Sequence, residues 1–472
     1  MSQSKGNNTP PSKRPNKPAQ RKAPRRKNKT GDQSRDVPAG LRVREVALRI
    51  VIGITANGQS TDDAVTTAFR SADTLDARDR AAARRIAMAT VRRFHSLDAT
   101  VKTYLERGYP KRSGTLRDIL IVAAAQLILL AAPAHAVIDL AVRHVRGERR
   151  AAPFAGLANA VLRRLSETGT ERFTQQDAFA LDIPVWLQHS WSAVYGADLA
   201  RDIAQASLHE AALDITVKDD ANAWAERLEG FVTPTGTVRR ANSGRISELP
   251  GFADGSWWVQ DAAAAIPARL FGDVAGRDVL DLCAAPGGKT AQLSAFGANV
   301  TALDWSERRL ERLNDNMRRL GFKPEVVCAD AMTWQPNTLF DAVLVDAPCS
   351  ATGTLRRNPD ILHHQSSRDL AALAERQEAL LRRAVAFVRP GGTIVYCTCS
   401  LQPDEGPDII ARVLTDTPNV RRLAVTEGTD LIPATFVTLD GDVRTFPTHF
   451  PHERPELSGL DGFYTARLRR VE

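Results

Sequence analysis

The feature that most constrains the fold is an alternation of short apolar segments and helical segments in the second half of the chain. Short apolar runs without strict alternation are typical of parallel strands that are buried on both faces. Such runs occupy residues 279–283, 300–304, 325–328, 342–346 and 393–398, and helical patterns occupy 289–294, 306–320 and 369–388. This order predicts a doubly wound α/β domain with its ligands at the carboxyl ends of the strands. A predicted hairpin at 436–446 and a last strand at 463–468 give the sheet an antiparallel edge.

The first predicted strand leads into a glycine loop that suits a nucleotide-like cofactor. Its glycines let backbone amides approach a ligand, and the start of the next helix favours a carboxylate. A phosphate-binding P-loop needs glycine at position 283, where cysteine stands, and a Gly-x-Gly-x-x-Gly dinucleotide loop is absent. We therefore predict S-adenosyl-L-methionine as the cofactor. The predicted cofactor-binding loop consists of Cys283, Ala284, Ala285, Pro286, Gly287, Gly288 and Lys289.

Three aspartates that follow predicted strands support this cofactor. Asp304 lies 23 residues after Asp281, where an acid binds ribose hydroxyls in related folds. Asp330 is placed to accept a hydrogen bond from the adenine amine, and Asp346 ends the fourth strand. A single strand-end aspartate is often a helix cap, but three such acids in register favour a cofactor site.

Cys349 and Cys399 each follow the end of an apolar strand, so we expect both thiols at one edge of the sheet. Two thiols suit the formation of 5-methylcytosine in RNA. One thiolate adds to C6 of the cytosine and activates C5, and a base must then remove the C5 proton so that the thiol can leave. Asp346 is placed to stabilise the adduct near N3.

Other chemistries fit the sequence less well. The cysteines form no Cys-x-x-Cys pair, which disfavours zinc, and we predict no metal. An amino-directed methyltransferase is expected to show an Asn/Asp-Pro-Pro-aromatic string at 346–349, and a DNA-type C5 enzyme needs no second cysteine. Cys283 and Cys328 are predicted to be buried, small apolar residues.

The first half of the chain is expected to be helical, because apolar residues recur every three to four positions from residue 41 to about 165. Residues 169–255 combine a helical stretch with a strand pattern at 213–217, and we interpret them as a linker and a small α/β subdomain. The catalytic domain is then expected at 256–472.

The positive charge is concentrated at the N-terminus. Residues 1–40 contain 11 Lys or Arg and two Asp, while the whole chain has a net charge of +8, so the remainder is close to neutral. We expect this tail to be disordered and to contact RNA, or otherwise only to improve solubility. The apparent lack of a signal peptide or membrane segment, and the clustering of the five cysteines, predict a cytoplasmic protein with reduced thiols.

Several of these motifs resemble those of a known family. Residues 44–47, 75–80 and 156–163 resemble the all-helical NusB-type RNA-binding domain, which we expect at 41–168. The glycine loop, the strand-end aspartates, both cysteine motifs and residues 460–464 resemble RNA cytosine-C5 methyltransferases. Together they are similar to the bacterial 16S rRNA (cytosine-C5)-methyltransferase family of the RsmB, or Sun/Fmu, type.

The resemblance implies a Rossmann-like, S-adenosylmethionine-dependent methyltransferase domain that acts on small-subunit ribosomal RNA. By the same resemblance, Cys399 is the nucleophile and Cys349 assists product release. The glycine loop, Asp304, Asp330 and Asp346 would contact the cofactor. Residues 358–364 differ from the family's usual His-Pro-Asp-Ile-Lys/Arg-Trp run. A tRNA target and a non-catalytic role in ribosome assembly remain open, and we expect a monomer that binds no membrane.

Overall fold

The structure is a computed structural model that describes residues 39–72, 75–241, 244–364, 366, 368–426 and 432–472. Residues 1–38 of the basic tail that was predicted at 1–40 lie outside the described residues. The description therefore begins with the first helix of the N-terminal half.

The N-terminal half is a helical domain built around one hydrophobic core. Helix α5 is largely buried, since α1, α3, α4, α6 and α7 pack against it. Asp76 starts α3 by accepting a hydrogen bond from the Asp79 amide at 2.8 Å. The predicted helical front domain is confirmed. Its helices are α1 (Ala39–Thr55), α2 (Thr61–Arg70), α3 (Ala77–Arg92), α4 (Phe94–Lys102), α5 (Leu116–Ile128), α6 (Ala134–Gly147) and α7 (Ala155–Thr174).

A small α/β region follows, with helices before and within an antiparallel sheet. The helices are α8 (Ala178–Asp182), α9 (Val185–Tyr195), α10 (Ala197–Ser207) and α11 (Ala221–Arg227), and the strands are β1 (Leu213–Val217), β2 (Phe231–Val232), β3 (Val238–Arg240) and β4 (Trp257–Val259). The strand order is β2-β3-β1-β4. Strand β4 lies beyond the expected boundary at 255 because the Trp257 side chain packs into the core of the small sheet against Ile215.

The C-terminal half is a doubly wound sheet with helices on both faces. Its strands are β5 (Asp278–Leu282), β6 (Asn299–Asp304), β7 (Glu325–Cys328), β8 (Phe340–Asp346), β9 (Val388–Thr398), β10 (Val420–Arg422), β11 (Val443–Thr445) and β12 (Phe463–Arg470). Its helices are α12 (Ile266–Arg269), α13 (Gly288–Ala295), α14 (Glu307–Leu320), α15 (Ile361–His364), α16 (Leu370–Phe387) and α17 (Pro407–Asp416). The order β10-β12-β9-β8-β5-β6-β7, with β11 beside β12, has parallel pairing from β7 to β9 and an antiparallel β12. The predicted α/β architecture and its antiparallel edge are confirmed.

The hairpin predicted at 436–446 forms only in part. Val437 pairs with Val443 in a single bridge, and the chain then turns through hydrogen bonds between Thr438 and Asp442. The residues before the bridge, Ala434–Phe436, form a short 3-10 turn. Strand β11 is instead paired along β12, because this places Val443 in the core of the main sheet.

A buried ionic network joins the small sheet to the C-terminal domain. Arg239 donates to both carboxylate oxygens of Asp214 at 2.7 Å. Arg357 Nη2 lies 4.0 Å from Asp214 Oδ2, which links the two parts. Arg357 also donates to Asp261 Oδ2 at 2.5 Å and to Asp461 Oδ2 at 3.2 Å. Removal of one partner would leave a buried charge unpaired, which is strongly destabilising. The network therefore fixes the segment around Arg357, which lies eight residues after Cys349.

Candidate active site

Strands β8 and β9 bring the two cysteine motifs to one edge of the sheet. They pair in parallel with Asp346 opposite Cys397, so both chains leave the sheet side by side. Beyond the strands, the Ala347 amide donates to the Cys397 carbonyl at 3.0 Å. The Gly353 amide donates to the Cys399 carbonyl, also at 3.0 Å. These bonds hold the two loops together past the last paired residues.

The thiols of Cys349 and Cys399 are in contact, with 3.5 Å between their Sγ atoms. Both side chains are half-buried. The hydrogen bond with Cys399, followed by burial, raises the pKa of Cys349 well above its ordinary value. Cys349 therefore holds its proton firmly while its thiol is in contact with Cys399.

Asp346 lies between a buried lysine and a buried thiol. Its Oδ2 is 2.8 Å from Lys289 Nζ, and its Oδ1 is 3.5 Å from Cys397 Sγ. Burial lowers the pKa of Lys289, but the charge of Asp346 outweighs this effect and raises the pKa above its ordinary value. Lys289 also lies over the ring of Phe463, with Nζ 5.0 Å from the centroid. The lysine is thus a fixed positive charge that orients Asp346.

The glycine loop has the backbone conformation that its sequence requires. Gly287 has φ +101°, and a Cβ atom there would lie 3.0 Å from Leu313 Cγ, so a larger residue would be strained and crowded. Cys283 also lies in the left-handed region, at φ +62°. Non-glycine residues in this region are uncommon and are often found at functional sites.

Asp281 is a fully buried acid that precedes the glycine loop. Its Oδ2 accepts a hydrogen bond from Thr290 Oγ1 at 2.6 Å, whereas its Oδ1 is buried without a hydrogen-bond partner in the described part of the chain. Burial, assisted by the nearby carboxylate of Asp346, raises the pKa of Asp281 to about 7. A buried carboxylate oxygen that lacks a partner suits a ligand with a positively charged group.

The remaining two predicted acids have different surroundings. Asp304 is buried, and its carboxylate accepts from the amides of Ala285 at 3.2 Å and Ser306 at 3.0 Å. Arg309 Nη1 lies 3.3 Å from its Oδ2. Asp304 thus supports the glycine loop directly. Asp330 is exposed at the end of β7, where it accepts from the Met332 amide at 3.0 Å.

The prediction for the other two cysteines is wrong for Cys328 and holds only partly for Cys283. Cys328 is exposed, because β7 is the last strand of the sheet and, within the described residues, has a neighbouring strand on one side only. Cys283 is half-buried, and burial raises the pKa of its thiol to about 12. Neither cysteine lies in the thiol pair.

The sequence-based predictions missed two residues that are candidates for a role in the site, Trp305 and Glu405. Trp305 directly follows Asp304, and its side chain is 63% exposed beside the predicted ribose acid. The sequence contains a signal for Trp305, because an aromatic residue there directly follows an acid at the end of a strand. Glu405 is 0% exposed and contacts both cysteine loops. Its sequence context, a Pro-Asp-Glu-Gly turn, indicates an exposed acid instead.

In the described ranges, no group of three or more His, Cys, Asp or Glu side chains is arranged to hold a metal ion. The same ranges contain no helix with the length and apolar character needed to cross a membrane.

Comparison with known proteins identifies the family. The family model described as 16S rRNA methyltransferase RsmB/F matches residues 272–469, and the NusB family model matches residues 41–167. Ribosomal RNA small subunit methyltransferase B of Xanthomonas campestris pv. campestris is 35% identical over 400 residues, which cover 81% of this chain and 90% of that protein. The chain belongs to the RsmB/F family. A Pseudomonas putida relative of the same name is 32% identical to this RsmB/F chain over 434 residues. These residues cover 84% of this chain and 92% of the relative.

Solved structures share the fold of this RsmB/F-family chain. The crystal structure of PH0851 has a TM-score of 0.70 at 22% identity and covers 92% of this chain and 99% of that one. A methyltransferase homologue from Pyrococcus horikoshii has a TM-score of 0.50 at 25% identity and covers 61% of this chain and 95% of that one. The Rossmann-like methyltransferase fold predicted from the sequence is confirmed.

We predict that Asp281→Asn changes how stability depends on pH. Because the pKa of Asp281 is raised from 3.8 to about 7, the folded state binds more protons than the unfolded chain between these values. The acid therefore costs stability progressively as pH rises from about 4 to about 7. In urea unfolding, the variant should gain stability relative to wild type over this range, by at most about 1.4 kcal/mol per pH unit.

Asp278→Asn is the matched control, because Asp278 is exposed at the opposite end of the same strand. It should show no such gain with pH. A stability difference between Asp281→Asn and wild type that stays constant from about pH 4 to about pH 7 would contradict the raised pKa of Asp281.

Proposed function

We propose that the protein transfers a methyl group from S-adenosyl-L-methionine to C5 of a cytosine in small-subunit ribosomal RNA, through a covalent bond between Cys399 and C6. The 3.5 Å contact between the thiols of Cys349 and Cys399 is the observation that carries this proposal. One thiol alone suffices for nucleophilic addition, whereas a second thiol in contact with it suits a reaction that must also release the product.

The surroundings of the glycine loop fit the proposed cofactor. Residues 283–289 would hold its methionine part, and the unpaired Oδ1 of Asp281 suits its positively charged amino group. Asp304, Asp330 and Asp346 are the acids proposed to complete the site. When bound, S-adenosyl-L-methionine supplies an electrophilic methyl group, which the activated ring accepts at C5.

The two thiols act in sequence. The Cys399 thiolate adds to C6 and shifts electron density to C5 and N3. Asp346 holds Lys289 in place, and the positive charge of this pair stabilises the negative charge that develops at N3. The bond between Cys399 and C6 removes the hydrogen bond and the charge of Cys399, two of the causes that raise the pKa of Cys349, and Cys349 then releases its proton to solvent water. As a thiolate it takes the C5 proton, the C5–C6 double bond re-forms, and Cys399 leaves as a thiolate.

The helical domain is proposed to bind the RNA, as its match to the NusB family supports. It contacts the segment of the catalytic domain that follows the Cys349 loop. Arg92 is buried and donates to the Arg356 carbonyl at 2.9 Å, and Thr61 donates to Asp360 Oδ1 at 2.7 Å. RNA held by this domain would therefore lie near Cys399. The relatives named ribosomal RNA small subunit methyltransferase B favour a small-subunit ribosomal RNA target, which we propose the protein methylates as a monomer.

Cys399→Ala should reduce methylation of 16S rRNA to background, because the thiol that forms the adduct is lost. Binding of S-adenosyl-L-methionine should persist, since the glycine loop is formed by other residues. Transfer of labelled methyl groups and calorimetric cofactor binding measure the two properties. Methylation by the variant above background would remove Cys399 as the nucleophile.

Cys349→Ala should stall the reaction after methyl transfer and leave RNA covalently attached to Cys399. A denaturing gel should then show a protein–RNA band that is absent in Cys349→Ala/Cys399→Ala. Cys328→Ala is the matched control, because that cysteine is exposed and lies outside the thiol pair. A slow Cys349→Ala enzyme without the shifted band, or a band that survives in the double variant, would refute these roles.

Asp304→Ala should weaken cofactor affinity, since the glycine loop loses the acceptor for the Ala285 amide and a ribose partner. The loss of one charge-assisted hydrogen bond is worth about 1.5–3 kcal/mol, or on the order of 10- to 100-fold in affinity. Calorimetry measures the effect, with Asp315→Ala as an exposed control on α14. An unchanged affinity in folded Asp304→Ala would exclude Asp304 from the site.

A further inference from the structure

One buried carboxylate joins the two cysteine loops. Glu405 Oε1 accepts a hydrogen bond from the Ser350 amide at 2.8 Å, and Oε2 accepts one from the Ser400 hydroxyl at 2.5 Å. The Ser350 hydroxyl also donates to Oε2. Ser350 follows Cys349 and Ser400 follows Cys399. A single side chain therefore holds the residue next to each thiol.

Further hydrogen-bond donors surround the Glu405 side chain. Besides the two serines, Gln377 of α16 donates from Nε2 to Oε1 at 3.0 Å and to the Pro348 carbonyl at 2.7 Å. The Ser350 amide and the Gln377 side-chain nitrogen can only donate, so Oε1 accepts from both of them. The Tyr396 hydroxyl donates to the Glu405 carbonyl at 2.9 Å, so the turn that carries the acid is itself fixed to strand β9.

The thiol pair needs such support because both cysteines lie beyond the ends of their strands. Reacting groups that sit on loops are less precisely placed than those on strands or helices. A displacement of about 1 Å can reduce the rate by about 100-fold. The charge of Glu405 also contributes, after the hydrogen bond with Cys399 and burial, to the raised pKa of Cys349, and so helps to retain the proton there.

We propose that Glu405 is a positioning residue, which sets the separation of the Cys349 and Cys399 thiols through its hydrogen bonds to Ser350 and Ser400. It does not touch the substrate. The catalytic consequence rests on the proposed function, but the positioning can be measured without any methyl transfer.

The first test measures how close the thiols are. Diamide converts two neighbouring thiols to a disulfide, and its azo bond takes up the two protons and two electrons. Wild-type protein should form the Cys349–Cys399 disulfide, identified by mass spectrometry of its peptides, and folded Glu405→Gln should form it about tenfold more slowly. Asp404→Asn is the matched control, since Asp404 is exposed in the same turn, and it should behave as wild type.

The second test measures catalysis. Glu405→Gln should lower kcat by on the order of 10- to 100-fold while the KM for RNA and for S-adenosyl-L-methionine stays unchanged, because only the reacting thiols are displaced. Ser400→Ala should have a smaller effect. The Glu405→Gln/Ser400→Ala double variant should be no slower than Glu405→Gln alone, since both changes remove the hydrogen bond between Glu405 and Ser400.

If Glu405→Gln does not fold, Ser350→Ala and Ser400→Ala carry both tests, with the same directions expected. Unchanged disulfide formation or unchanged kcat in a folded variant overturns the proposal, as does a wild-type protein that forms no disulfide. If Cys349→Ala never traps RNA while Glu405→Gln still slows the disulfide, the covalent mechanism fails and the positioning of the thiols by Glu405 stands.

Discussion

Strands β8 and β9 pair in parallel with Asp346 opposite Cys397, and this register determines where every reactive side chain of the site lies. Successive side chains of a strand point to opposite faces, so a shift of one residue would move Asp346 away from Lys289 and separate the two cysteine loops. Both strands lie inside the sheet, with β5 and β12 on their outer sides. Burial on both faces therefore holds the register that the chemistry requires.

Charged groups are then arranged around the strand ends in two buried sets. On the cofactor side, Lys289 lies against Asp346, near the buried acid Asp281. Beneath the thiols, Glu405 is surrounded by hydrogen-bond donors. The first set suits a ligand with a positively charged group, and the second fixes two thiols in contact. In the proposed mechanism, Cys349 and Cys399 have different tasks although their side chains are chemically identical.

Much of this arrangement could be predicted from the sequence, because buried parallel strands and the motifs at their ends are local patterns. The five strands and the adjacency of the thiol motifs followed from such patterns. The burial of Glu405 could not be predicted, since it depends on Ser350 and Gln377, which come from distant elements. The exposure of Cys328 was missed because apolar neighbours indicate a buried strand, whereas the sheet order makes β7 an edge. Pairing between strands far apart in sequence likewise placed β4 in the small sheet.

The most direct test of the chemistry is to identify the methylated nucleoside. Unmethylated 16S rRNA from a deletion strain would be incubated with the protein and isotopically labelled S-adenosyl-L-methionine, digested to nucleosides and analysed by mass spectrometry against standards. The contact between the Cys349 and Cys399 thiols predicts that the label appears in 5-methylcytidine. Label in an N-methylated or ribose-methylated nucleoside, or in a base other than cytosine, would contradict the account.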